Sequence, residues 1–307
     1  MSTKLAFVFP GQGSQQLGML ADLAEKHDII EQTFAEASAV LGYDLWDLVQ
    51  NDAERLSQTD KTQPALLTAS VALWRLWGQQ GGEKPAYVAG HSLGEYSALV
   101  CAGVIAFADA VELVKLRGEY MQQAVPAGEG AMAAIIGLDD DKVVAACAAA
   151  AGVVSAVNFN SPGQVVIAGH VDAVEAAMVN AKEAGAKRAL PLPVSVPSHC
   201  ELMLPAGAKL AEKLETIAFN SPSCILVQNV TAQAVSDPLV IKENLVSQLS
   251  EPVLWTQSVV LLSELGVTST VECGPGKVLS GLNKRIVKGL DTFSLGDLAG
   301  FEAALSA

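Results

Sequence analysis

Apolar positions recur along this chain at two spacings, and the switches between them predict its elements. Leu5–Phe9 is an unbroken apolar run of the kind a strand buried on both faces requires. Residues 17–57 alternate apolar and charged positions at helical spacing. Residues 60–79 predict a longer helix with Leu66, Leu67, Val71, Trp74 and Trp77 on its apolar side, the two tryptophans in the core. A break over 78–85 feeds a second short apolar run at 87–89, and 95–100 reads as the next helix. From Asp109 to about Gln123, Leu113, Val114, Arg117 and Met121 share one helical face, and Glu112, Lys115, Glu119 and Gln122 the other. Asp109 and Glu112 are spaced as a capping box at its start.

The pattern changes at Pro126. Strand at 130–137, helix at 139–151, strands at 153–159 and 164–169, helix at 172–184 and strand at 187–192 give the order βαββαβ, a ferredoxin-like unit inserted in the chain. Asn160-Ser161-Pro162-Gly163 forms its central turn, and 191–197 is the link back. Helical spacing returns at 202–217, before Gln248-Leu249 and at 252–265, with an apolar stretch at 224–227. A last strand is expected at 270–272, a turn at Gly274-Pro275-Gly276 and a basic helix at 277–288, whereas 290–307 carry little pattern. The expected fold is α/β: a large α/β-hydrolase-like domain with a short parallel sheet, residues 1–125 and 199–307, plus an inserted ferredoxin-like subdomain, residues 126–198.

Composition narrows the partners. Half of the 307 residues are hydrophobic, which excludes a disordered chain. The longest apolar run, 143–157, falls short of a membrane span, and the first residues lack a signal-peptide pattern, so a cytoplasmic protein without membrane attachment is expected. Five cysteines without C-x-x-C or zinc spacing fit reduced thiols and no metal site. A net charge of −14 argues against nucleic acid or anionic lipid as a general partner. Gly11-Gln12-Gly13 lacks the third glycine of a dinucleotide fingerprint, since Gln16 stands there, and no Walker spacing precedes Gly276-Lys277.

The candidate chemistry centres on Gly90-His91-Ser92-Leu93-Gly94. Strand, tight turn and helix are the context of a nucleophile elbow, with Ser92 pushed out at the strand end and N–H groups of the new helix beside it to hold an oxyanion; an ordinary strand-to-helix turn is the alternative. The loop after the first strand presents the Gln12 N–H, at the strand end where α/β folds place their chemistry. Of four histidines, His27 lies in a charged stretch, His170 caps a helix and His91 is locked inside the elbow. His199 remains as general base. Ser198 and Glu201 are spaced as a capping box, so His199 is expected in a first helical turn, where positive potential keeps imidazole neutral; a structural helix start is the competing reading. Arg117 points with an apolar stripe, either snorkelling or meeting a structural carboxylate, or waiting as a buried cation for a substrate carboxylate. Asn160 is a turn residue or a substrate contact.

Phe9-Pro-Gly-Gln-Gly-Ser-Gln15, Gly90-His-Ser-Leu-Gly-Glu95, Arg117-Gly118 with Met121-Gln122, Asn160-Ser-Pro-Gly-Gln164, Val196-Pro-Ser-His199 and Glu272-Cys-Gly-Pro-Gly276 together resemble the malonyl-CoA:acyl carrier protein transacylases, in register from about residue 4 to 290. The resemblance implies ping-pong transfer of malonate from CoA, through a Ser92 ester, to the phosphopantetheine thiol of acyl carrier protein in fatty-acid synthesis. It implies His199 as base, oriented by the main-chain carbonyl of Gln248, with an oxyanion hole from the N–H groups of Gln12 and Leu93. Arg117 would bind the malonate carboxylate, with Asn160 and His91 near the substrate. No permanently bound cofactor is implied, and a monomer is expected. Lys277, Lys284, Arg285 and Lys288, with Lys187 and Arg188 as a second cluster, are candidates for docking the carrier protein, against the reading of a solvated helix face. A free-standing polyketide acyltransferase, a patatin-like hydrolase and a non-catalytic scaffold are the competing readings.

Overall fold

The computed structural model describes residues 4–194 and 196–307; residues 1–3, and Ser195 in the expected 191–197 link, lie outside the described residues. Among the described residues the strands form two sheets. The larger contains β1 (Leu5–Phe9), β2 (Tyr87–Gly90), β7 (Ile225–Val227), β8 (Ala234–Val235), β9 (Ser269–Glu272) and β10 (Asp291–Ser294), in the order β10-β9-β1-β2-β7-β8. All its pairings are parallel except β7 with β8. The smaller contains β3 (Gly130–Ile136), β4 (Val154–Ser161), β5 (Gln164–His170) and β6 (Arg188–Pro191), antiparallel throughout in the order β4-β5-β3-β6. With helices Asp140–Ala148 and Val171–Glu183 between strands, the succession is βαββαβ.

β1 is central and apolar on both faces because helices cover both. Phe7 and Phe9 pack into one hydrophobic cluster with helices Ile29–Leu41, Thr59–Gln79 and Phe107–Ala124, whereas Ala6 and Val8 pack into a second with Trp255, Val259 and Leu262. Trp77 is buried in the first cluster and Trp74 packs against it. The small sheet has its own cluster, from Ala133, Ile135, Val165 and Ile167 against Val143, Val174 and Ala177. The two sheets meet along a seam of main chain: Asn158 bridges Val253 in parallel, and Phe159 N–H donates to the Val253 carbonyl at 3.0 Å.

Several expectations are corrected. β9 is not the last strand, for residues 290–307 form β10 and helix Leu298–Leu305. Three of the four residues of β10, Asp291, Thr292 and Ser294, are polar, and it lies at the sheet edge, which hides it from a search for apolar runs. Helix Phe107–Ala124 begins before Asp109, with Ala106 at its N-cap and no side-chain cap, so 109–112 is not a capping box. Nor is 198–201: His199 is left-handed with φ 67°, Ser198 Oγ reaches only the Val196 carbonyl, and a 3-10 turn starts at Glu201. Asn160 sits at a register shift in β4 rather than in the two-residue turn.

Candidate active site

Ser92 stands between β2 and helix Gly94–Cys101 with φ 52°, a left-handed backbone that a serine adopts only under constraint. The constraint is visible. A Cβ at Gly90 would collide with the main chain of Gly94 and Glu95, and one at Gly94 with the Phe9 carbonyl, so β2, the turn and β1 interlock only with glycine at both positions. Asn229, two residues after β7, clamps the turn: its Oδ1 accepts the Ser92 N–H at 2.7 Å, and its Nδ2 donates to the Gly90 carbonyl at 2.6 Å.

His199 Nε2 lies 2.7 Å from Ser92 Oγ, and Nδ1 lies 2.6 Å from the Gln248 main-chain oxygen. A carbonyl only accepts, so Nδ1 carries the proton and Nε2 keeps its lone pair toward the serine. Burial pushes the His199 pKa down to about 3, and the neighbouring Arg117 charge pushes the same way. The ring is therefore neutral for a different reason from the one the sequence suggested. Desolvation and a cation hold it so, not a helix terminus.

Arg117 is 1% exposed. Gly118 explains its setting: a Cβ there would lie 2.7 Å from the Cα of Asp60, so its absence lets helices Phe107–Ala124 and Thr59–Gln79 approach closely and brings Gln63 alongside. The guanidinium donates to Gln63 Oε1 at 2.9 Å and Gln248 Oε1 at 3.0 Å, and approaches Ser92 Oγ at 3.4 Å. Its charged carbon lies 5.4 Å from the Tyr96 ring centroid. Neither the snorkelling nor the structural-carboxylate reading holds, because among the described residues it makes no ion pair, and its buried Nε has no partner.

Gln12, His91, Ser92, Leu93, Arg117 and His199 line one cleft, closed on the other side by Met132, Asn158, Leu192, Val194 and Val196. The Leu93 N–H, at the start of the helix, donates to no described residue. His91 Nε2 and Asn160 Oδ1 are 2.7 Å apart, a side-chain tie between the elbow and the small sheet, and burial lowers the His91 pKa. A larger hollow at the sheet edge, around Pro85, Cys224 and Ile225, holds none of these groups. Lys277, Lys284, Arg285 and Lys288 stand outside the cleft on an exposed surface. Lys277 pairs with Asp297 at 3.1 Å, and Arg285 donates to Gln164 at 2.8 Å.

Sequence reading missed Gln63, Gln228, Asn229 and the interior role of Glu95. Glu95 is fully buried and accepts from Gln228, Asn229 and Gln248. Gln228-Asn229 offered a signal, since a polar pair ends the apolar run 224–227 at the carboxyl end of a strand, where such folds place chemistry. Gln63 offered none. It is one of several polar residues on a long helix, and only the packing of that helix selects it.

Comparison with known proteins agrees with this geometry. The acyl transferase domain family matches residues 6–298. The malonyl CoA-acyl carrier protein transacylase of Escherichia coli strain K12 is 62% identical over 306 residues, 99% of each chain, and that of Bacillus subtilis strain 168 is 46% identical over 307 residues, 99% of this chain and 96% of the relative. Among solved structures, an acyl carrier protein S-malonyltransferase from Vibrio cholerae superposes with TM-score 0.96 at 63% identity, covering 98% of this chain and 99% of the other. A malonyl-transacylase in complex with its type II PKS acyl-carrier protein superposes with TM-score 0.98 at 57% identity, covering 99% of both. With Ser92, His199 and Arg117 converging in one cleft, and with relatives alike over their full length, the chain belongs to the malonyl CoA-acyl carrier protein transacylases of the acyl transferase family.

Proposed function

We propose that the protein transfers malonate from malonyl-CoA to the phosphopantetheine thiol of acyl carrier protein through a malonyl ester on Ser92, supplying fatty-acid synthesis. Nε2 of His199 takes the hydroxyl proton as Ser92 Oγ attacks the thioester carbonyl. The oxyanion is held by the N–H groups of Leu93 and Gln12, where one donor is worth about 3 kcal/mol in the transition state. Collapse breaks the C–S bond, and the CoA thiolate leaves with the proton from His199. In the second half, His199 accepts the carrier thiol's proton, the sulfur attacks the ester, and Ser92 recovers its proton. The Gln248 carbonyl keeps the imidazole in the required tautomer and needs no acid residue behind it.

The observation that carries the substrate choice is Arg117: a buried cation whose oxygen partners are amides of Gln63 and Gln248, with a 3.4 Å approach to the nucleophile. A carboxylate beside Ser92 would complete it, and a charged hydrogen bond is worth about 1.5–3 kcal/mol. Malonyl-CoA and the carrier's arm enter as substrates, and no resident cofactor takes part. His91 and Asn160 act as a pair on the substrate side of the cleft. Lys277, Lys284, Arg285 and Lys288 form the dock for the carrier protein, with Lys187 and Arg188 as the second candidate cluster. The chain works as a cytoplasmic monomer, with residues 126–198 as a subdomain over the larger one; no described helix is long and apolar enough to cross a membrane.

Initial rates over a grid of malonyl-CoA and carrier concentrations test the mechanism. Parallel double-reciprocal lines are expected of an acyl-enzyme shuttle, and intersecting lines would exclude it.

A further inference from the structure

Glu95 lies three residues beyond Ser92 in the first turn of helix Gly94–Cys101, fully buried, yet it bonds to none of Ser92, His199 or Arg117 through its side chain. Its carboxylate meets three N–H donors instead. Oε1 accepts from Gln228 Nε2 at 2.8 Å, and Oε2 accepts from the Asn229 main chain at 2.9 Å and from Gln248 Nε2 at 3.2 Å. Two of these donors belong to residues that hold the reacting groups. Asn229 clamps the Ser92 turn. Gln248 carries the His199 proton acceptor on its main chain, and its side chain donates to the Ser92 carbonyl at 3.0 Å and accepts from Arg117 at 3.0 Å.

A buried amide has two orientations of nearly equal shape, distinguished only by its partners. Turned over, the Gln248 amide would set its NH2 against the Arg117 donor and its oxygen against three acceptors, the Ser92 carbonyl, Glu95 Oε2 and Asn229 Oδ1. A main-chain carbonyl and an ionised carboxylate only accept, so the Ser92 carbonyl and Glu95 together admit one orientation, with nitrogen toward themselves and oxygen toward the guanidinium, and of the two only Glu95 brings a charge. The amide then joins a buried anion to a buried cation with its dipole aligned between them. Arg117 thus has a resident counter-charge one amide away, and among the described residues no carboxylate occupies its hydrogen-bonding edge.

We infer that Glu95 is a positioning residue: it orients the Gln248 side chain and thereby holds Arg117 in place and open for the carboxylate of the incoming acyl group. The inference rests on the reading of Arg117 as the malonate anchor. It adds the reason why a buried arginine stays available instead of being consumed by its own counter-ion.

The test compares acyl-enzyme formation from malonyl-CoA and acetyl-CoA in wild type, Glu95→Gln, Glu95→Asp and Arg117→Ala. Burial pushes the Glu95 carboxyl up to about 7, so assays at about pH 8 keep it ionised. Glutamine keeps the shape but presents an NH2 to a set of donors, whereas aspartate keeps an acceptor-only group on a shorter stem. Glu95→Gln is expected to narrow the malonyl-to-acetyl ratio of kcat/KM by about tenfold, and Glu95→Asp to slow both substrates while holding the ratio within about threefold of wild type. An unchanged ratio in Glu95→Gln overturns the inference. So does an equal narrowing in both variants, which would make Glu95 a packing residue. If Glu95→Gln does not fold, the aspartate variant decides: a kept ratio supports the inference and a lost one overturns it. If Arg117→Ala leaves the ratio at wild type, the reading of Arg117 itself is wrong. If Arg117→Ala collapses the ratio and Glu95→Gln does not, only the role of Glu95 falls.

Discussion

The wall of the cleft that grows from the parallel sheet ties its reacting side chains into one hydrogen-bond network, whereas the wall from the antiparallel sheet presents mostly apolar side chains. On the first wall, Ser92, His199, Arg117 and Gln248 are joined to one another, and Glu95, Gln228 and Asn229 fix them from beneath. On the second, Met132, Leu192, Val194 and Val196 face the same space, Asn158 Oδ1 is buried without a partner, and Asn160 reaches across to His91. The contrast divides the labour. Bond making needs groups held to a fraction of an ångström, which buried, mutually bonded side chains on strand ends and helices supply. Enclosing an acyl chain and excluding water needs shape, which an apolar sheet supplies.

If that division is right, the largest losses fall on the first wall. Ser92→Ala should lower malonyl transfer by about 10^4-fold or more without loss of fold, read by malonyl-carrier formation over time. Arg117→Ala should cut kcat/KM for malonyl-CoA by about 10- to 100-fold while leaving acetyl-CoA nearly untouched; equal losses on both substrates would show that the arginine only supports packing.

His199 offers a sharper test through pH. The unfolded chain takes up a proton at the ordinary histidine pKa near 6.5, but the folded ring resists protonation until about pH 3, so the folded state loses stability as pH falls through that window. The cost from this residue is about 2 kcal/mol between pH 7 and pH 5. Thermal melts of wild type and His199→Ala should converge or cross toward the variant as pH drops to 5. A constant gap between the two would mean that the ring is not desolvated.

Outside the cleft, effects should be smallest. Charge reversal at Lys284 and Arg285 should raise KM for the carrier protein several-fold, about 1 kcal/mol, with a weaker salt dependence and an unchanged rate of Ser92 acylation. An unchanged carrier KM would remove the dock from this surface.

The two walls also differ in how well the sequence announces them. The βαββαβ order was legible because its strands and helices are short, regular and separated by turn residues. The elbow was legible because steric necessity fixes Gly90 and Gly94 around Ser92, and Arg117 because a charge on an apolar stripe violates the helical pattern. His199 was singled out by elimination and wrongly placed in a helix; its ring lies against Ser92 all the same. Its left-handed backbone comes from tertiary bonds, with its N–H donating to the Leu249 carbonyl, and no local pattern encodes that. Gln63, Asn229 and the carboxylate of Glu95 matter through partners 54 to 153 residues away, which periodicity cannot see. Strand β10 was lost to the same limit. It completes a sheet edge with Phe293 as its one apolar residue, too little pattern to mark a strand.

The central claim is that one buried wall both makes the ester and chooses the acyl group, and intact mass tests it most directly. Wild-type protein mixed briefly with malonyl-CoA should gain one malonyl group, Ser92→Ala should gain none, and Arg117→Ala should shift from malonyl toward acetyl when both thioesters compete. Release of free CoA with no adduct in the wild type would instead describe a hydrolase, and an adduct that survives Ser92→Ala would contradict the account at its root.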